Sequence, residues 1–204
     1  KNKPLHIITI DKLYKNLFFN KNMFQYLTKG KRGKIYVQGD IAIKKSLPKR
    51  VKNESFWLKI LNKYKIGPKL MEVKKNYFKY KFIKGDFILD YFKLNDSKPI
   101  IIDVLKQCRI MDKLKLNKLE MHNPHKHIII ENKKSVLIDF ERAYKTEKPK
   151  NVTQFCQFLM SKSVQNIVKY KINKKELIKL LKKYKNNQTE KNFNIIIKYF
   201  KSFP

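Results

Sequence analysis

Apolar and polar positions alternate with two different periods along this chain, and the change of period divides it. In the first half the period is mostly two. The run Gly33–Val37, the turn Gln38-Gly39-Asp40 and the run Ile41–Lys45 predict a β-hairpin. Lys69–Val73 and Tyr77–Ile83 predict a second strand pair around a turn at Lys74–Asn76, and Leu5–Ile10 predicts a short strand near the start. Between the two hairpins the period becomes helical. Phe56, Trp57, Ile60 and Leu61 recur at helix spacing and predict a helix over Asn53–Tyr64, stopped by Ile66-Gly67-Pro68, with the glycine as its cap. After Gly85 helices dominate. A short one is predicted over Ile88–Phe92 and a long one over Pro99–Lys115, where Ile101, Val104, Leu105, Cys108 and Met111 fall on neighbouring turns. Ile128–Ile130 and Val136–Ile138 form one more hairpin, joined at Glu131–Lys134. Three helices close the pattern, over Val152–Ser163, Lys174–Tyr184 and Glu190–Phe200.

Strands first and helices second is an α+β arrangement. The break near Gly85–Leu94 reads as a hinge between two lobes. The expected division is a β-rich N-terminal lobe with one helix over residues 1–85 and a helical C-terminal lobe over residues 86–204. At 42% apolar residues a core can form. Charge adds a constraint on partners: 49 Lys and Arg against 16 Asp and Glu give a net +33, a field that draws polyanions such as nucleotides and RNA. The lysines run the whole length among Asn, Ile, Tyr and Phe, a bias that AT-rich coding also produces, so a lysine-rich solvated surface is the competing reading. Cys108 and Cys156 lie far apart in apolar helical contexts, so no structural disulfide is expected. No apolar run approaches the roughly 18–20 residues that span a bilayer, and no signal-peptide core is visible. The expectation is a cytoplasmic protein that does not enter membranes.

Candidate chemistry gathers at three places. Lys44 ends the alternating segment Ile41-Ala42-Ile43-Lys44 on a strand preceded by Gly30 and Gly33. Glu54 lies on the next helix, in a first half where carboxylates are rare. It either pairs with Lys44 or favours the helix dipole. Asp139 follows an apolar strand in Ile138-Asp139-Phe140-Glu141, where a carboxylate needs a cation or an ion-pair partner. Before it, Glu120-Met121-His122-Asn123-Pro124-His125-Lys126-His127 holds three of the four histidines. That stretch reads either as a transition-metal site using His125 and His127 or as a loop whose side chains meet phosphate, magnesium or the attacking group. Tyr170, Tyr184 and Tyr199 are candidates for stacking on bases or for packing on amphipathic helices.

In this order and spacing the segments resemble the small atypical protein kinases: RIO-like kinases, the small kinase of the KEOPS assembly and lipopolysaccharide-kinase-like proteins. The likeness is strongest to an archaeal group of serine/threonine protein kinases with a loop like Arg-Pro-His-Lys-His followed by Ile-Asp-Phe-Glu. It spans roughly residues 28–160. The resemblance implies a two-lobed kinase-like fold with ATP and Mg²⁺ in the cleft. It implies that Lys44 contacts the α- and β-phosphates, that Glu54 pairs with it, that Asp139 holds magnesium, and that Lys79–Gly85, including Lys84 and Gly85, forms the adenine-binding hinge. Gly30 and Gly33 imply a sparse phosphate-covering loop. The kinase catalytic loop reads His-Arg-Asp, four residues, then Asn. Here Glu120 or His122 takes the aspartate's place as base, and His127 that of the asparagine that binds a second metal. Histidine is a poor magnesium ligand, which allows for manganese. The implied activity is ATP-dependent phosphoryl transfer to a serine or threonine of a protein substrate. A pseudokinase or ATPase-like scaffold serving an RNA or nucleoprotein partner is the alternative.

Overall fold

The computed structural model describes residues 23–30 and 32–203; the strand expected at Leu5–Ile10 lies outside them. Strands β1 (Gln25–Lys29), β2 (Gly33–Gln38), β3 (Ile41–Ser46), β4 (Leu70–Val73) and β5 (Tyr77–Lys81) make one antiparallel sheet in the order β1-β2-β3-β5-β4. β3 is therefore the central strand. The β2–β3 hairpin turns at Gly39-Asp40, and Gly39 takes the left-handed φ of +56° that such a tight turn demands. Ala42 and Lys44 share one face of β3, and both are buried.

Helix α1 (Pro48–Leu61) packs against this sheet through Val51, Leu58 and Leu61. It starts five residues before the sequence pattern suggests. Pro48 occupies its first turn, where a fixed φ is preorganised for helix and no amide is missed. The intervening residues are mostly basic, so hydrophobic periodicity is blind to that turn. A short 3₁₀ turn (Asn62–Tyr64) follows. The left-handed residue that ends it is Lys65, not Gly67. Gly67, with φ +76°, has a second reason to be glycine: a Cβ there would stand 2.8 Å from Leu58 and 3.1 Å from Phe140.

The rest of the chain is mostly helical: α2 (Ile88–Leu94), α3 (Lys98–Lys113), α4 (Asn151–Leu159), α5 (Lys162–Gln165), α6 (Lys174–Asn186) and α7 (Glu190–Lys201). The helix expected over Val152–Ser163 breaks at Met160 and Ser161 into α4 and α5. Strands β6 (Asp86–Phe87), β8 (Ile128–Glu131) and β9 (Lys134–Leu137) form a small sheet, while β7 (Leu116–Asn117) pairs with β10 (Tyr144–Lys145). The β8–β9 turn is Asn132-Lys133, both at positive φ, as a two-residue hairpin of this twist requires. One hydrophobic cluster joins α1, the sheet and the later helices. Tyr184 and Tyr199 are buried in it on amphipathic helices, as expected, and Tyr170 is buried in it from the segment between α5 and α6 rather than from a helix. Both cysteines are free and buried. Among the described residues no helix is long and apolar enough to cross a membrane.

The segment after β5 is strapped to β8. Glu131 accepts the Lys84 amide at 2.7 Å, and β6 pairs with β8 at Asp86–Ile130. At Gly85 the two backbones nearly touch: a Cβ would lie 2.0 Å from the Ile130 carbonyl oxygen. Gly85→Ala must push these backbones apart and should cost about 3 kcal/mol of unfolding free energy in urea titrations. Gly39→Ala meets open space and should cost only the left-handed backbone penalty, about 1 kcal/mol. Equal losses at the two positions would mean that the close approach at Gly85 does not exist.

Candidate functional site

Lys44 is the centre of the site. It projects from β3 with its ammonium almost wholly buried. Its Nζ lies 2.7 Å from Glu54 Oε2 and 2.8 Å from Asp139 Oδ1. Glu141 Oε2 stands farther off, at 3.9 Å. Burial works against the charge of Lys44, but Glu54 and Asp139 outweigh it and raise its pKa, so it stays protonated. Asp139 is pulled the other way. Burial opposes its ionisation, yet Lys44, then Lys118, bring its pKa below the ordinary value. Glu54 is shifted upward, because burial outweighs Lys44 and lifts its pKa.

Each partner is aimed by local structure. Helix α1 turns Glu54 inward on the stripe that carries Val51, Leu58 and Leu61. The β8–β9 hairpin delivers Asp139: Ile138 adds a rung beyond β9 by donating to the His127 carbonyl at 3.0 Å. Asp139 then leaves the hairpin at a left-handed φ of +65°, which an aspartate tolerates better than most residues. Segment 139–143 is fastened to α1. Glu54 Oε1 accepts the Phe140 amide at 3.2 Å. Asn53 donates to the carbonyls of Glu141 and Ala143, and the Trp57 indole donates to Ala143 at 3.0 Å. Phe140 is fully buried beneath.

The glycine-bearing turn reaches the same cluster. Gly30 donates to the Gly33 carbonyl at 3.0 Å, and Ser46 Oγ and Arg50 both donate to the Arg32 carbonyl. Arg32 itself donates to Glu141 Oε1 at 3.1 Å. Gly33 sits close against β3, where a Cβ would meet the Lys45 carbonyl oxygen at 2.8 Å.

The loop before β8 divides the sequence candidates. Glu120 is buried, with Oε2 3.1 Å from Lys118 Nζ and Oε1 3.9 Å from Arg142 Nε. His122 is exposed, and its Nδ1 meets the Leu119 carbonyl at 2.7 Å. His125 pairs with Asn123 at 2.8 Å. His127 turns toward the cluster, with Nδ1 3.6 Å from Asp139 Oδ2. Lys84 meets Asp40 at the surface, 2.6 Å apart, and contributes its amide rather than its charge to the segment joining the lobes.

Sequence reasoning missed Lys118. Its side chain has no solvent exposure. It donates to Glu120 and to the Asp139 carbonyl and lies 5.0 Å from the Phe140 ring centre. A single lysine in a lysine-rich chain carries no signal of its own. Its position two residues before Glu120, between Leu116 and Leu119, is the only trace it leaves. Glu141, with its two cationic neighbours, was noted only as part of a motif.

No family model matches the chain, and no curated protein matches it. Solved structures do. WbdD, determined with the kinase inhibitor LY294002, superposes with a TM-score of 0.64 at 13% identity, over 86% of this chain and 45% of that one. The Rio2 kinase from Chaetomium thermophilum superposes with a TM-score of 0.61 at 10% identity, over 95% of this chain and 76% of that one. The chain thus spans less than half the length of the WbdD chain. Together with the antiparallel sheet and the helices behind it, these likenesses show a two-lobed, protein-kinase-like fold.

Proposed function

We propose that this chain is an ATP-dependent phosphotransferase of the atypical serine/threonine kinase class, binding the nucleotide with a divalent cation between its lobes. The observation that carries the proposal is the convergence on one ammonium of carboxylates 10 and 95 residues away in sequence. An incidental surface ion pair needs no such convergence and no such burial.

The residues fit a divalent cation. Glu54, Asp139 and Glu141 offer oxygens within 4.8 Å of one another, and Lys44 and Arg32 neutralise only two of the three charges. Beside them His127 Nδ1 is a buried nitrogen without a hydrogen-bond partner. Burial, then the nearby Lys118, lowers the His127 pKa to about 4. The imidazole is therefore neutral near pH 7, with one ring nitrogen unprotonated and able to bind a metal beside Asp139. Asp139 and His127 are the proposed metal ligands. The nitrogen favours Mn²⁺ over Mg²⁺. The ion's part, when bound, is to neutralise charge on the phosphates.

The chain's own groups do the rest. Lys44, held by Glu54, meets the α- and β-phosphates. The Gly30–Gly33 turn covers them with Arg32. The segment Lys79–Gly85, with Lys84 and Gly85, lines the adenine position. Glu120 is the proposed base: Lys118 fixes Oε2, leaving Oε1 toward the acceptor hydroxyl. As the hydroxyl oxygen bonds to the γ-phosphorus, the β–γ bridging bond breaks, ADP leaves, and Glu120 takes the proton. The exposed ring of His122, engaged with Leu119, makes it the weaker candidate. A nucleotide-binding scaffold without turnover is the second reading, favoured by one feature: both oxygens of Glu120 face cations.

Mn²⁺–ATP at about 100 times its Kd should stabilise the fold by ~2.7 kcal/mol in thermal unfolding. Asp139→Asn should abolish that gain. Glu120→Gln should keep it while lowering turnover about 10²-fold or more, and His122→Ala should leave turnover within about twofold of wild type. No stabilisation by ATP with either metal sinks the proposal. Full turnover in Glu120→Gln transfers the base role elsewhere.

His127 also sets a pH dependence. The unfolded chain takes up a proton near pH 6.5, whereas the folded one resists until about pH 4. Between those values the unfolded state binds more protons, so stability falls as pH drops from about 6.5 to 4. With EDTA present, wild type should lose about 2–3 kcal/mol more than His127→Gln across that window. Parallel stability curves for the two proteins would show that His127 is not held neutral.

A further inference from the structure

The peptide unit between Asp139 and Phe140 is held from both sides. Its carbonyl accepts from the Lys118 ammonium, and its amide donates to Glu54 Oε1 at 3.2 Å. The two clamps come from different lobes: Glu54 from α1, Lys118 from the loop after β7. The unit also follows the one residue of its segment at positive φ, Asp139 at +65°. A rotation of this peptide would break both bonds and, coupled to a change of the Asp139 φ, would turn its side chain away from Lys44.

Lys118 is itself immobilised. Its amide donates to Asn151 Oδ1 at 2.8 Å. The Asn151 side chain donates to Asp112 at 2.8 Å and to the Leu116 carbonyl at 2.6 Å. Asp112 is buried on α3, where it also accepts from the Tyr184 hydroxyl at 2.8 Å. A chain of buried polar groups thus runs from the helical core to the Lys118 backbone and fixes the root of its side chain. That ammonium is shared between Glu120 Oε2 and the Asp139 carbonyl, over the face of Phe140. A fully buried charge with these partners is not one more solvated lysine.

We infer that Lys118 is a positioning residue that locks the Asp139–Phe140 peptide in its cleft-facing orientation and ties Glu120 to it. It therefore sets metal–nucleotide binding and the placement of the proposed base together. The link to nucleotide rests on the phosphotransferase reading; the lock itself does not.

Two measurements separate them. Hydrogen exchange reads the lock without ligand: the Phe140 amide should exchange slowly in wild type and at least tenfold faster in Lys118→Met. The increase should stay within residues 138–142 and leave the β8–β9 hairpin protected, which a general loss of stability would not do. Affinity for Mn²⁺–ATP should fall about tenfold in Lys118→Met. In Glu120→Gln, where Lys118 keeps its bond to the Asp139 carbonyl, exchange and affinity should stay within twofold of wild type while turnover drops. Should Lys118→Met fail to fold because Glu120 is left buried and unpaired, the double variant Lys118→Met/Glu120→Gln removes both charges and should show the same local exchange and weakened binding. Wild-type exchange at Phe140 in folded Lys118→Met, or in the double variant, overturns the inference. Fast exchange in the variant from a wild type that binds no Mn²⁺–ATP keeps the lock and rejects the phosphotransferase reading instead.

Discussion

A buried ammonium governs this molecule. Removing Lys44 from water is unfavourable by several kcal/mol, and only close, well-aimed carboxylates offset it. Glu54 and Asp139 do so at 2.7 and 2.8 Å. The requirement reaches far beyond three side chains. It fixes the face of β3 that points into the cleft, the rotation of α1 about its axis, and the exit angle of the β8–β9 hairpin. Each element packs elsewhere through apolar contacts that tolerate small shifts. The ion cluster does not, because losing one partner leaves a buried charge uncompensated at about 3–5 kcal/mol.

The cluster carries more negative than positive charge, and that imbalance shapes the cleft. Glu141 places a third carboxylate beside Glu54 and Asp139, and Arg32 crosses from the glycine-bearing turn to meet it. Arg32 thus already spans the opening that phosphates would enter. A phosphate arriving without a cation would meet three carboxylates. One arriving with a divalent ion brings the charge that the site lacks. On the proposed phosphotransferase reading, metal and nucleotide therefore bind as a pair, because the ion supplies the charge the carboxylates call for.

Legibility in the sequence followed chemical rarity. Glu54 stood out because acidic residues are scarce in the first half of a +33 chain. Asp139 stood out because a carboxylate after Val136-Leu137-Ile138 demands a partner. Lys44 became readable through its order relative to those two. Strand pairs and long helices followed from periodicity, with errors where periodicity is silent: the basic first turn of α1, the break at Met160, and the left-handed Lys65. Lys118 was illegible for the reverse reason. Lysine is the commonest residue type here, so its identity says nothing, and only tertiary structure distinguishes a fully buried one. The loop from Glu120 to His127 was ambiguous because its histidines fit several chemistries by spacing. Geometry separates them, with His122 in solvent, His125 on Asn123 and His127 against Asp139.

The fastening of α1 has a consequence for how such a site can be controlled. An ion pair on a helix can be made and broken by swinging the helix, provided little else binds the helix to the cleft. Here Asn53 and Trp57 flank Glu54 on adjacent positions of α1 and donate to the carbonyls of Glu141 and Ala143. Withdrawing Glu54 would break these bonds, at about 1 kcal/mol each, would leave the Phe140 amide buried without its acceptor, and would strip the Lys44 ammonium of one of its two close carboxylates. The two losses compound, because unpaired buried groups cost more than the bonds they made. Sheet, helix and segment 139–143 therefore move as one piece. Among the described residues the side chain with most latitude at the cluster is that of Arg32, partly exposed and paired with Glu141 while its backbone carbonyl is held by Ser46 and Arg50. Moving the Arg32 side chain is physically cheaper in this fold than displacing α1.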